Sequence, residues 1–237
     1  MRAQSHVVGV ALLLGLTAVA LGGLTAATGA LVDSGTASAD TARVADELDA
    51  AIQPVETTGQ HARRVHFADG SLQSVEREVR VLENGSVVAA HTTGALVFET
   101  GDRRVAVAAG AVVRGQPGGA WLVTDPPVTS SERTAVLVVG VPRLEAGHVA
   151  IAGEGATSVT LATNVSHART DLGTGNFAVA VETTTPRPFE RYFEGQNASV
   201  SRTDFDGDGV ESVVATYPGR RQGYLVVHNL SLEVASG

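Results

Sequence analysis

The chain contains no cysteine, so a disulfide framework and a thiolate metal site are both excluded. Lysine is also absent: arginine supplies all 17 basic residues against 25 acidic ones, and the net charge is −8. Binding to nucleic acid needs clustered positive charge, so this balance argues against a nucleic-acid partner. An acidic chain without lysine suits a high-salt habitat, and codon bias in a GC-rich genome is the alternative explanation.

Sequence motifs of common enzyme classes are missing as well. The chain has no G-x-S-x-G nucleophile motif, no H-E-x-x-H zinc motif and no G-x-x-x-x-G-K-[ST] phosphate loop. Scattered serine, histidine and aspartate residues cannot be assembled into a catalytic triad from sequence alone. We therefore predict that the protein is not an enzyme.

What the chain does have is a long apolar segment near its start. No side chain between Val7 and Val32 is ionisable, and a helix that crosses a bilayer needs roughly 20 apolar residues. Arg2 precedes this segment and Asp33 follows it. The positive-inside rule then predicts a single-pass membrane protein that spans the cell membrane over 7–32, with a cytoplasmic N-terminus and an extracellular C-terminal domain.

Three interpretations of this N-terminus compete: a plain membrane anchor, a cleaved secretory signal and a pilin-type leader. The secretory interpretation rests on Ala37-Ser38-Ala39, an A-x-A site. The apolar segment is, however, much longer than the 7–15 residues that are usual in a signal peptide. This comparison ranks the secretory interpretation third.

The N-terminal residues themselves read Arg2-Ala3-Gln4-Ser5-His6-Val7-Val8-Gly9-Val10-Ala11-Leu12-Leu13-Leu14-Gly15. This start resembles the N-termini of archaeal type IV pilin-like proteins, particularly those of halophiles. The resemblance implies that a prepilin-type peptidase cleaves between Ala3 and Gln4, so that residues 1–3 are a short leader. It also implies that the apolar helix is retained, and that the membrane and other pilin-like subunits are partners.

Helical periodicity continues beyond the apolar segment. Val44, Leu48 and Ile52 recur every four residues, and Pro54 ends the pattern. One helix over 4–53, amphipathic in its outer half, is the first interpretation. A break near Gly35 that leaves a separate short helix is the second.

From residue 54 to residue 237 the pattern changes to the period of two that is typical of strands. Arg63–Ala68 and Val75–Leu82 are predicted as separate strands, and Asn84-Gly85 is predicted as a hairpin turn. Pro186 opens a short predicted helix. The predicted fold class is therefore α+β: a long N-terminal helix followed by an antiparallel β-rich extracellular domain, with a subdomain boundary most probable near 126–130.

One acidic turn carries the clearest ligand signal. Asp204-Phe205-Asp206-Gly207-Asp208-Gly209 resembles the first half of an EF-hand calcium loop, and the resemblance implies Asp204, Asp206 and Asp208 as calcium ligands. The twelfth position is Ala215, where a bidentate acid is expected, so the predicted site is weak. A solvated acidic turn without metal is the alternative.

Glycosylation is the second surface signal. Four N-x-[ST] sequons exceed the number expected by chance, which favours an exported glycoprotein. Their asparagines are Asn84, Asn164, Asn197 and Asn229. Together these observations predict a membrane-anchored, pilin-like structural protein of the cell surface, a minor pilin or pilin-like subunit. The alternative is a membrane-tethered extracellular binding module that does not polymerise.

Overall fold

The computed structural model describes residue 19 and residues 35–52, 57–116 and 118–236. Residues 1–39 and residues 40–237 form two separate compact units. Helix α1 covers residues 35–52. The elements that follow are β1 (Gly59–Glu83), β2 (Ser86–Thr100), β3 (Arg103–Ala108), β4 (Ala111–Gln116), β5 (Gly119–Thr124), β6 (Val128–Ser131), β7 (Val136–Ala146), β8 (Ala150–Gly175), β9 (Phe177–Glu182), α2 (Pro186–Gly195), β10 (Ser199–Thr203), β11 (Ser212–Thr216) and β12 (Arg221–Ser236).

The predicted α+β class is wrong. Apart from helices α1 and α2, the described chain is a single 12-stranded sheet with its connections. The sequence interpretation gave most weight to a helix over 4–53, but alternating apolar residues fill nearly all of the chain after residue 58. The fold is accordingly a β-sheet protein with two helices packed on it.

The prediction of a single-pass membrane location is also not supported. Among the residues that the structure describes, no helix is both long enough and apolar enough to cross a membrane. The physical reason lies in helix α1, where Asp40, Arg43, Glu47 and other charged residues recur at each turn. The predicted span over 7–32 lies outside the described residues except for residue 19.

The sheet is mostly antiparallel and has the strand order β5-β4-β3-β2-β1-β8-β12-β7-β6. A branch of β9, β11 and β10 continues from the second half of β1. The predicted hairpin turn at Asn84-Gly85 is confirmed, because both residues have positive φ angles of 50° and 82° and β1 pairs with β2 across them. Strands β7 and β12 pair in parallel, which the sequence did not predict.

Strand β1 joins two segments that the sequence predicts as separate strands. Its first half pairs with β8 and its second half with β9, while β2 follows its other side. A register shift lies between Phe67 and Asp69, and Gly70 has a φ angle of 143°. A residue with a Cβ would strain this backbone, so the glycine lets the strand bend without ending.

Two apolar cores share these long strands. In β12, Leu225 and Val227 are buried in core 1, whereas Leu230 and Leu232 are buried in core 2. Successive side chains of a strand alternate between faces, so the two cores lie on opposite faces of β12. The buried side therefore changes near residue 228. Each core draws residues from both sides of the Pro126-Pro127 connection between β5 and β6.

Helix α1 covers one face of core 2. The predicted apolar stripe is confirmed, since Val44, Leu48 and Ile52 are all buried there. The helix also covers the outer edge of β1. The backbone amide of Ala68 donates to Asp40 Oδ2 (3.0 Å), and that of His66 donates to Glu47 Oε2 (2.6 Å).

Helix α2 begins at the predicted proline and packs its two phenylalanines, Phe189 and Phe193, into core 1. Gln196, which follows the helix, accepts from the Ser130 amide (3.1 Å) and donates to the Val128 carbonyl (2.9 Å) of β6. Arg191 donates to the Ala120 carbonyl of β5 (2.7 Å). The helix thus covers the two strands that end the sheet, and edges covered in this way do not pair with other chains.

Candidate functional site

The acidic turn lies between β10 and β11, the last two strands of the branch. Gly207 and Gly209 have positive φ angles of 78° and 88°, so the chain reverses sharply around the carboxylates. The structure brings Asp204, Asp206 and Asp208 together, with one carboxylate oxygen of each within 4.8 Å of the others, and all three are exposed.

Backbone amides of the turn already bind these carboxylates. Asp204 accepts from the amides of Gly207 (2.8 Å) and Gly209 (3.1 Å), and Asp208 accepts from the amide of Val210 (2.7 Å). Asp206 accepts from the amide of Asp208, which is the largest cause of the lowered pKa of the Asp206 carboxyl. These bonds stabilise the charged carboxylates without any ion.

Arg80 of β1 supplies a positive charge beside the turn. Its side chain is only 8% exposed and forms ion pairs with Glu78, with Glu182 (3.9 Å) and with Asp206 (3.2 Å). Its guanidinium also donates to the Ser212 hydroxyl (3.4 Å). The ring of Phe205, inside the turn, lies 4.8 Å from the guanidinium carbon. A buried charge needs such partners, and Arg80 therefore ties the turn to the sheet.

The predicted calcium ligands fit an EF-hand-type site only in part. The twelfth-position residue, Ala215, is fully buried in core 1, so this strand cannot supply the missing carboxylate. One oxygen of Asp206 already accepts from Arg80, whose charge repels a second cation. Calcium binding by the three aspartates stays a prediction, and the solvated turn remains its alternative.

Glu182 is the buried carboxylate of this cluster, and burial raises the pKa of its side chain. Arg77 opposes this shift most strongly, while Asp208 and Asp206 add to it and Arg80 opposes it. Removal from water therefore outweighs the attraction of two arginines. The folded protein holds a proton on Glu182 more readily than the unfolded chain does.

We expect Glu182→Gln to become more favourable relative to the natural residue as pH rises. A raised folded pKa contributes stability below the unfolded pKa and loses it as pH rises through the folded one, here above the ordinary value of 4.5. Glutamine does not titrate, so the variant lacks that loss. Urea unfolding of both proteins from pH 4 to pH 7 measures the difference, and parallel pH profiles would contradict this assignment.

A cleft of about 400 Å³ lies where β1, β2 and β7 approach one another. Polar residues from these strands and from the connection after β7 line it, including Glu76, Arg143, Glu145 and His148. The Ser74 hydroxyl, also in this cleft, donates to the Gly147 carbonyl (3.1 Å) and accepts from the Val149 amide (2.9 Å). Backbone atoms thus hold Ser74, and a histidine base for it is not among its hydrogen-bond partners in the described chain.

The four sequons lie in different surroundings. Asn84 and Asn197 are exposed turn residues with positive φ angles of 50° and 60°, and Asn164 is exposed on β8. Asn229 is half-buried in β12, and its side-chain oxygen accepts from Arg143 (3.2 Å). The predicted processing site at Ala3 and Gln4 lies outside the described residues.

We expect glycosylation to favour the sequons in turns. Asn84 and Asn197 present the side-chain amide at exposed turns, whereas Asn229 lies within a paired strand and binds Arg143. Intact-mass analysis of native protein, followed by peptide mapping, should find glycan at the first two positions and none at Asn229. Modification of Asn229 alone would contradict this order.

Sequence reasoning placed His228 among core residues, but the structure pairs it with another histidine. His228 of β12 lies directly opposite His167 of β8 in the strand register, and their Nδ1 atoms are 2.9 Å apart. His228 is half-buried and His167 is exposed. The two residues are far apart in sequence, so only the register of two long strands could have indicated this pair.

Comparisons with known proteins give one finding on family. Neither the search of curated proteins nor the search of solved structures finds a match. One family model matches residues 2–233, and thus covers both the N-terminal segment and almost all of the sheet. The chain belongs to this family, DUF7289, which is described as a family of unknown function.

Proposed function

We propose that the chain is a structural subunit that assembles with copies of itself through an open strand edge. The carrying observation is the first part of β2. Residues 86–95 pair with β1 on one side, and their other side has no strand partner within the described ranges. Val87 and Val88, at the start of this edge, are 47% and 48% exposed.

This edge differs from the others in what covers it. Carboxylates of α1 bind the outer amides of β1, and side chains in and after α2 bind the end strands β5 and β6. Segments of β7, β8 and β10 that pair on one side only carry a charge or a proline, as at Pro142, Glu154 and Arg202. Such residues discourage pairing with another chain, and β2 lacks them in residues 86–92.

A second copy fits this edge in chemistry. The segment Ser86-Val87-Val88-Ala89-Ala90-His91-Thr92 contains no acidic residue, arginine or proline. Two such segments can pair antiparallel about a two-fold axis without like-charge repulsion. Since Val87 and Val88 point to opposite faces of the strand, pairing would bury apolar surface on both. The resemblance of the N-terminal residues to pilin-like proteins also supports a role as a subunit.

The test compares full-length protein with two lysine variants by sedimentation velocity over a range of concentrations. We expect concentration-dependent self-association of the natural chain and its loss in Val88→Lys, because an edge lysine must be desolvated on pairing. Val123→Lys is the matched control, since Val123 is an exposed valine (39%) on β5. Equal association of both variants would overturn the proposal.

A binding module that does not polymerise is the second candidate. The cleft beside Arg143 and Glu145 favours it, because charged groups of both signs line a concave surface. The same sedimentation experiment separates the two candidates. A natural chain that stays monomeric at every concentration favours the binding module.

A further inference from the structure

We propose that His167 and His228 form a two-imidazole site for a divalent transition-metal ion that prefers tetragonal coordination, such as Ni²⁺ or Cu²⁺. The two residues belong to neighbouring antiparallel strands and lie opposite each other in the register. Paired strands hold their backbones at fixed separation, so both rings are positioned by the sheet rather than by a loop.

The separation of the two nitrogens selects the coordination geometry. Two nitrogens that each bind one ion at about 2.0–2.1 Å are about 2.9 Å apart at an angle of 90°, and about 3.4 Å apart at the tetrahedral angle. The Nδ1 atoms of His167 and His228 are 2.9 Å apart. This value fits two neighbouring positions of a square-planar or octahedral ion, which imidazole-bound Cu²⁺ and Ni²⁺ adopt.

Ring orientation and protonation are compatible with this assignment. The rings meet edge to face, with centroids 4.9 Å apart and an interplanar angle of 84°. As the rings stand, one Nδ1 donates its proton to the other. When both neutral rings carry their proton on Nε2 instead, both Nδ1 lone pairs can bind one ion after a small rotation of each ring.

The surroundings leave room for an ion with water in its other positions. His167 lies on the exposed side of β8, and the nearest residue at the same register on β7 is Pro142. Arg169, two residues along β8, lies over the ring of Tyr224, 4.4 Å from its centroid. The clusters of three or more ligating residues in the described chain contain no histidine, so the protein supplies two ligands to this ion.

The test is calorimetric titration of the full chain with NiCl2 at pH 7.5. We expect one site, and we expect His167→Gln and His228→Gln each to weaken it by roughly 100-fold, because the second imidazole binds at high effective concentration. The double variant should bind no more weakly than either single variant, since chelation needs both rings. His61→Gln is the matched control, an exposed-region histidine of β1 whose Nε2 lies 3.0 Å from the Thr57 carbonyl.

A second measurement needs no variant of the half-buried residue. Paramagnetic Ni²⁺ should broaden the ring signals of two histidines together in the NMR spectrum of the natural protein, one of which His167→Gln assigns. Equal affinity of the natural chain and both variants, or broadening confined to other histidines, would overturn the proposal. Equal weakening by His61→Gln would overturn it as well.

Discussion

Replacing Arg80 with methionine should lower the free energy of unfolding by about 3–5 kcal/mol, the range for a buried ion pair that loses one partner. The side chain of Arg80 is 8% exposed, and that of its partner Glu182 is 5% exposed. Methionine retains much of the volume of arginine but none of its charge. The variant therefore leaves buried carboxylates near one another with no guanidinium between them.

Urea unfolding at pH 7 measures this loss, and Arg202→Met is its control. Arg202 forms ion pairs with Glu190 and Glu211, but its side chain is 37% exposed. Exposed ion pairs contribute little to stability, so the control should unfold close to the natural protein. Equal losses for the two variants would show that burial of Arg80 does not matter.

The double variant Arg80→Met/Glu182→Gln identifies the source of the effect. If unpaired charge causes the loss, neutral glutamine at position 182 recovers part of it, because the two residues are in contact and their effects are coupled. If lost packing against the Phe205 ring causes it instead, the second change recovers nothing. The comparison thus separates electrostatics from packing at one site.

Phe193→Ala is the second large expected effect. Phe193 is fully buried in core 1, and truncation of a buried phenylalanine to alanine costs about 3–5 kcal/mol. The change also loosens α2, whose C-terminal neighbour Gln196 covers β6. We expect lower stability in urea, together with faster hydrogen exchange at the Ser130 amide.

Tyr192→Phe is the companion variant. The tyrosine hydroxyl donates to the carbonyls of Val128 (2.8 Å) and Pro126 (3.2 Å), and phenylalanine keeps the ring but loses these bonds. A typical hydrogen bond contributes about 0.5–1.5 kcal/mol, so the loss should be well below that of Phe193→Ala. A comparable loss would mean that hydrogen bonds, rather than apolar packing, hold α2 on the sheet.

Local features of this fold could be predicted from sequence where local chemistry decides them. The four-residue spacing of Val44, Leu48 and Ile52 predicted the buried stripe of α1. Asn84-Gly85 predicted a hairpin turn because both residues tolerate positive φ angles. The Asp204–Gly209 turn predicted three converging carboxylates, and the structure places them within contact of one another.

Features that depend on distant parts of the chain could not be predicted. Arg80 and Asp206 lie on different strands of the branch, and nothing in the sequence near either residue indicates the other. The pairing of His167 with His228 depends on the register of two long strands in the same way. The predicted α+β class failed for another reason: it extrapolated from the N-terminal segment to a chain whose later residues form one sheet.

The change of buried side along β12 links the fates of the two cores. Strands β1, β7 and β12 each contribute residues to both cores, so neither core can open while the other keeps its full set of strands. Residues 40–237 should consequently melt as one cooperative unit, with a single calorimetric transition whose van't Hoff and calorimetric enthalpies agree. Damage far out on one face would then be felt on the other, through the backbone that both faces have in common.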